Sequence, residues 1–336
     1  MRATRKQGLG SRFFSALRVL APWMAVGCVL LALSSRTGEL KTCLGRISVG
    51  WLVLSFSLGL LYRFLNAGIW AWILGALGHP LPYVRAMRAW LTSESLRWLP
   101  GSVWGFCSRV DDARNLGVPS VVASLSLPVE LTLTVVSWGI VASAGLLASG
   151  PGGRFLTSYG YSFVPIGVAV LTTLVAFGIG WPLLVQRAWI RKRLERAQVL
   201  LKLRSDAGQL ICSGLFYTAL NAVNGLGFWL VLAGMGYRHA VSPTLAVGVN
   251  GAGWLMGFFA LGVPGGIGVR EAGAALLLTP NLSWQEAALA AVLWRAVQIA
   301  TELAGLLPWL LIGNGRTASA EGVLAEKVLS PKGSEL

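Results

Sequence analysis

Residues 263–273 read VPGGIGVREAG: a proline, three closely set glycines, then an arginine beside a glutamate. The stretch lies between WLMGFFALG (254–262) and AALLLT (274–279), in one of the most apolar parts of the chain. In water this would be an ordinary turn. At membrane depth, irregular backbone persists only where it is buried in protein or lines a wet cavity. A helix beginning after such a break points its unpaired N–H groups and positive dipole end into that cavity. With Arg270 alongside, the arrangement suits a phosphate headgroup. Glu271, in the first turn, complements the dipole and could pair with an amine.

The rest of the chain supplies the membrane setting. Of 336 residues, 55% are hydrophobic and 12% charged, where a soluble domain carries about 25% charged residues. Apolar helices near 18–34, 47–77, 118–148, 161–185, 210–235, 243–262 and 286–312 are each read as crossings of a bilayer core, which takes about 20 helical residues. Two segments, 84–110 and 263–280, are each broken by a Pro-Gly pair and read as re-entrant or broken helices. The expected fold is an all-α polytopic bundle: a single transmembrane domain over 1–315 and a short polar tail over 316–336.

The net charge of +15 does not indicate nucleic acid, because most of the excess lies outside the apolar spans, in the first 18 residues and in 186–204. Basic residues collect on the cytoplasmic side during insertion and beside anionic lipid. The N-terminus is therefore expected in the cytoplasm of a cell whose inner membrane holds the protein, with the first apolar stretch retained as a span rather than cleaved. Segment 186–208 has helically spaced apolar positions and is expected either to lie at the inner membrane surface or to be a solvated loop on that same side. The four cysteines and two histidines show no metal or redox spacing, and there is no nucleotide-binding P-loop or zinc-protease motif. No cofactor or metal is expected.

The sequence also hints at duplication. LPGS (99–102), containing Pro100 and Gly101, leads to Arg109, a loop NLGVPS and a long helix carrying Glu130. VPGG (263–266), containing Pro264, Gly265 and Gly266, leads to Arg270, a loop TPNLS and a long helix carrying Arg295 and Glu302. Halves over 47–185 and 210–312 would flank the basic segment, as in transporters whose substrate site sits at interrupted helices near the midplane.

Charge inside apolar sequence marks the candidate site, since an ionisable side chain in a bilayer costs at least about 2.5 kcal/mol and usually faces a partner or substrate. Arg63, Glu130, Arg270, Glu271, Arg295 and Glu302 qualify. Arg295, Gln298 and Glu302 share one helix face and are expected to cluster with Arg270 and Glu271. Gly253 and Gly257 have GxxxG spacing and read as helix packing.

PGGIGVREAGAALLL, AALAAVLWRAVQIATELAG and the upstream SESLRWLPGSVWGFCSRVDDARNLGV resemble the flippase-like membrane proteins related to the transmembrane region of lysylphosphatidylglycerol synthase, over about Asn66 to Ile312. The resemblance implies movement of lipids between leaflets. By motif position it implicates Pro264, Gly265, Gly266, Gly268, Arg270, Glu271 and Arg295, and in the first half Pro100, Gly101, Trp104 and Arg109. The full synthases append a soluble aminoacyl transferase; after the short polar tail here, lysyl transfer is not expected. The leading expectation is a non-enzymatic translocator of an anionic, zwitterionic or polyprenyl-phosphate-linked lipid. The alternatives are a membrane-embedded transferase or hydrolase on a polyprenyl-phosphate, and a non-catalytic membrane partner protein.

Overall fold

The computed structural model describes residues 47–98, 103–149, 207–260 and 264–329. These form eight α-helices: α1 (Val49–Ala76), α2 (Tyr83–Glu94), α3 (Val103–Asn115), α4 (Ser120–Ala148), α5 (Ala207–Gly234), α6 (Pro243–Phe259), α7 (Val269–Leu278) and α8 (Trp284–Leu329). A 3₁₀ turn at Ser95–Trp98 precedes the first break and another, Pro264–Gly266, contains the second. No strand occurs among the described residues.

Helices α1, α4, α5 and the Trp284–Trp309 part of α8 are long and apolar enough to cross a membrane, matching the spans expected at 47–77, 118–148, 210–235 and 286–312. The segment expected to cross at 243–262 is α6, whose 17 residues extend about 26 Å, short of a roughly 30 Å hydrocarbon core. Helices α2, α3 and α7 are shorter still. The broken segment at 84–110 is two short helices packed on each other, α2 and α3, and the one at 263–280 holds a 3₁₀ turn and α7, which packs on α6. The spans expected at 18–34 and 161–185, nearly all of the basic segment 186–208, and Pro100 and Gly101 lie outside the described residues. Helix α8 runs past 316 to Leu329, so the segment expected as a polar tail begins inside a helix.

The element order repeats: a long helix, two short helices around a Pro-Gly break, a second long helix. Adding 158 to an α1 number gives its counterpart in α5, which pairs Ser55 with Ser213, Asn66 with Asn224 and Gly78 with Gly236. All ten buried positions of α1 map onto buried positions of α5. Both helices end the same way. Gly78 and Gly236 take φ of 83° and 93°, and the following His79 and Tyr237 donate N–H bonds to Leu74 and Leu232 carbonyls, the Schellman closure that favours glycine.

The two long helices run antiparallel. At one end Ser48 N donates to Gly234 O at 3.0 Å; further along Ser55 Oγ donates to Gly227 O at 2.8 Å; at the other end Gln209 Nε2 donates to Trp72 O at 3.0 Å. The remaining packing obeys the same exchange of halves: α1 packs on α8 as α5 packs on α4, and α4 packs on α6 as α8 packs on α2. The two 3₁₀ turns touch each other. The halves are thus inverted repeats about an axis across the bundle, with the breaks meeting near it.

Candidate functional site

The PGG-x-G run is shaped by backbone demand. Gly265, Gly266 and Gly268 take φ of 60°, 67° and 81°, the left-handed region that a Cβ penalises. This reversal lets α7 start at the break. Glu271 then closes the helix start by accepting from Gly268 N at 2.6 Å, the return half of a capping box. Arg270 lies against the bare backbone of Gly257, where a Cβ would collide with its Cγ, and its guanidinium stands 5.4 Å from the Trp254 ring centre. The Gly253–Gly257 spacing read as helix packing therefore does pack α6 on α7, and it also makes room for this arginine.

A small, partly open cavity lies here, lined by Arg270, Glu271, Arg295, Trp254, Trp294 and Asn250 among others. Arg295 reaches across from α8: Nη2 donates to Gly265 O at 2.8 Å, Nη1 to Gln298 Oε1 at 3.3 Å, and Nε stands 3.5 Å from Glu271 Oε1. The wall is held by a polar chain in which Trp294 Nε1 donates to Asn250 Oδ1 at 2.8 Å and Asn250 Nδ2 to Asn224 Oδ1 at 3.0 Å. The structure thus brings Gly265, Gly266, Gly268, Arg270, Glu271 and Arg295 together, with Pro264 in the adjoining turn.

Glu302 departs from the expected cluster. It pairs with Arg63 of α1 at 2.6 Å, and Arg63 also donates to Thr301 Oγ1 at 2.8 Å and Gln298 O at 2.9 Å. Gln298 therefore joins this pair to the cavity. Arg109, on α3 with Trp104, forms a third centre. It bridges Glu130 of α4 and Glu94 of α2, donates to Ser93 Oγ at 2.8 Å, and lies 5.5 Å from the Trp70 and Trp90 ring centres. Glu130 also accepts from Trp90 Nε1 at 2.8 Å and Tyr217 OH at 3.4 Å. Four arginines and four glutamates thus form a charge-balanced belt through the bundle interior.

Sequence reasoning missed Glu94, Trp254 and Asn250. The signal for Trp254 was present: Trp-Leu stands ten residues before Pro-Gly in both halves, at 90–91 and at 254–255. Asn250 and Glu94 carried no such mark, because one sits singly in an apolar helix and the other in a short helix of mixed polarity.

A chain whose described elements are all helical, with membrane-long helices, paired helix breaks and buried charge, is a multi-pass membrane protein. A model of the family described as lysylphosphatidylglycerol synthase TM region matches residues 16–305, and the chain belongs to that family. No curated protein and no solved structure matches it. The relation to membrane lipids expected from the resemblance follows in general terms from that membership.

Proposed function

We propose that the protein moves a lipid with an anionic or zwitterionic headgroup, polyprenyl-phosphate-linked lipids included, between the leaflets of the cytoplasmic membrane without altering it chemically. The observation that supports this best is the cavity where Arg270 and Arg295 stand beside Glu271 at a helix break among membrane-long helices. Guanidinium groups match phosphate oxygens, while the overall balance of charge favours release as well as capture. The meeting of two inverted breaks fits exchange of access between two sides.

The test is reconstitution into liposomes carrying a fluorescent phospholipid or polyprenyl phosphate, with leaflet exchange followed by dithionite quenching or an equivalent side-specific probe. Exchange well above empty vesicles, falling about tenfold or more in Arg270→Ala as expected for loss of a charged hydrogen bond, supports the proposal. Rates equal to empty vesicles across the lipid panel overturn it.

A further inference from the structure

Buried polar atoms in folded proteins nearly always have a hydrogen-bond partner. Two exceptions among the described residues lie on helices packed on each other, α4 and α5. Trp138 of α4 and Asn221 of α5 are 1% and 0% exposed, yet Trp138 Nε1 and Asn221 Nδ2 have no acceptor within reach. Both atoms are donors, so neither can serve the other. The repeat sharpens the contrast. The offset of 158 matches Asn221 with Arg63, and the starts of α4 and α8, 164 apart, match Trp138 with Glu302. In that half the two places are joined by an ion pair.

Their surroundings show what lies on either side. Trp138 stacks on Trp254 with ring centres 5.5 Å apart, and Trp254 lines the cavity. About one turn from Asn221 in one direction, Asn224 is hydrogen-bonded to Asn250 of the cavity wall. About one turn in the other direction, Tyr217 donates to Glu130. The two donors therefore stand behind the cavity wall, between the cavity and the Arg109 centre.

We propose that Asn221 Nδ2 and Trp138 Nε1 are held for an oxygen acceptor of the lipid, a phosphate or ester oxygen, and that the seam of α4, α5 and α6 is the headgroup's way from the cavity toward the Arg109 centre. This rests on the proposed lipid movement and adds a second binding place to it. Both donors are sealed in this state, so the acceptor meets them when α6 shifts from α4. A buried donor without an acceptor weakens the closed seam, which eases that shift.

The experiment is thermal melting of the purified full-length protein in neutral detergent, without lipid and with dihexanoyl phosphatidylglycerol. Tyr62 donates to Asn221 Oδ1 at 3.3 Å, so Asn221→Leu is made in a Tyr62→Phe background, where removing the amide strands no hydroxyl. Without lipid, the double variant should melt no lower than Tyr62→Phe alone. A lower Tm would reveal a resident partner of the amide, water included, and overturn the inference. With lipid, wild type and Tyr62→Phe should gain several degrees, and the double variant at most about half as much. Trp138→Phe, which keeps a ring on Trp254, should lose as large a share of the wild-type gain. No gain in wild type or Tyr62→Phe, a full gain in the double variant or Trp138→Phe, or an equal gain from inorganic phosphate alone overturns the inference. Leaflet exchange is not read here. The expected pattern in a protein that exchanges no lipid would keep this site and remove the movement reading; exchange alongside a full gain in the double variant would do the reverse.

Discussion

Two glycines of the break, Gly266 and Gly268, differ in what an added methyl group would meet, and this separates backbone strain from crowding. At Gly268 a Cβ would find nothing within 4 Å, while at Gly266 it would lie 2.8 Å from Gly257 Cα and 2.9 Å from Arg270 Nε. Gly268→Ala therefore carries only the cost of a side chain on a backbone at φ 81° and ψ −45°, about 1–3 kcal/mol. Gly266→Ala carries that cost and also forces α6 and Arg270 aside. In detergent, Gly268→Ala should melt a few degrees below wild type and still bind anion, whereas Gly266→Ala should lose binding out of proportion to its change in Tm. Equal effects of the two on binding would mean that the break acts through its backbone turn and not through the seat of Arg270.

Among the described helices, one close backbone approach is not advertised by the sequence. A Cβ on Gly145 of α4 would lie 2.5 Å from Gly248 N and 2.8 Å from Thr244 O of α6, and backbone atoms yield only if the helices separate. Gly145→Ala should lower Tm measurably, at a cost of about 1–3 kcal/mol for overpacking. Gly50→Ala, with nothing within 4 Å of its Cβ, should leave Tm unchanged or raise it slightly, since alanine is the better helix former; an unchanged Tm in Gly145→Ala would contradict this crossing. Long apolar runs announced α1, α4, α5 and α8, and charge in apolar surroundings announced Arg270, Glu271 and Arg295. Partner choice was less legible. Glu302 stands two turns from Arg295 on the same face, yet its ion pair is with Arg63, 239 residues away, because helix spacing fixes which side chains share a face and says nothing of which other helix that face meets. Helix α6 ends three residues before the expected boundary at 262 for a related reason: its apolar run reaches Leu261, but the chain leaves the helix at Phe259 to form the break.

At the scale of the molecule, the antiparallel pairing of α1 and α5 constrains topology more tightly than charge alone. Two antiparallel spans put their C-terminal loops on opposite faces, so the loops after Ala76 and after Gly234 must lie on different sides of the membrane. The basic segment 186–208 precedes α5 and should be cytoplasmic, which places the loop holding His239 outside and the loop holding Pro80 inside. An N-terminus in the cytoplasm gives the same answer by counting crossings, with the expected spans at 18–34 and 161–185 included, provided that each short-helix pair returns to the side it left. Were each broken segment one full crossing, segment 186–208 with its excess of arginine and lysine would fall outside. Single cysteines at Pro80 and at His239, both exposed, in a background lacking Cys28, Cys43, Cys107 and Cys212, can be probed in intact cells with a membrane-impermeant maleimide. His239→Cys should label readily and Pro80→Cys only after the membrane is opened. Labelling of both, or of neither, before opening would refute the inverted arrangement and with it the correspondence of Arg109 and Arg270; the reverse pattern would keep the repeat and turn the whole protein over in the membrane.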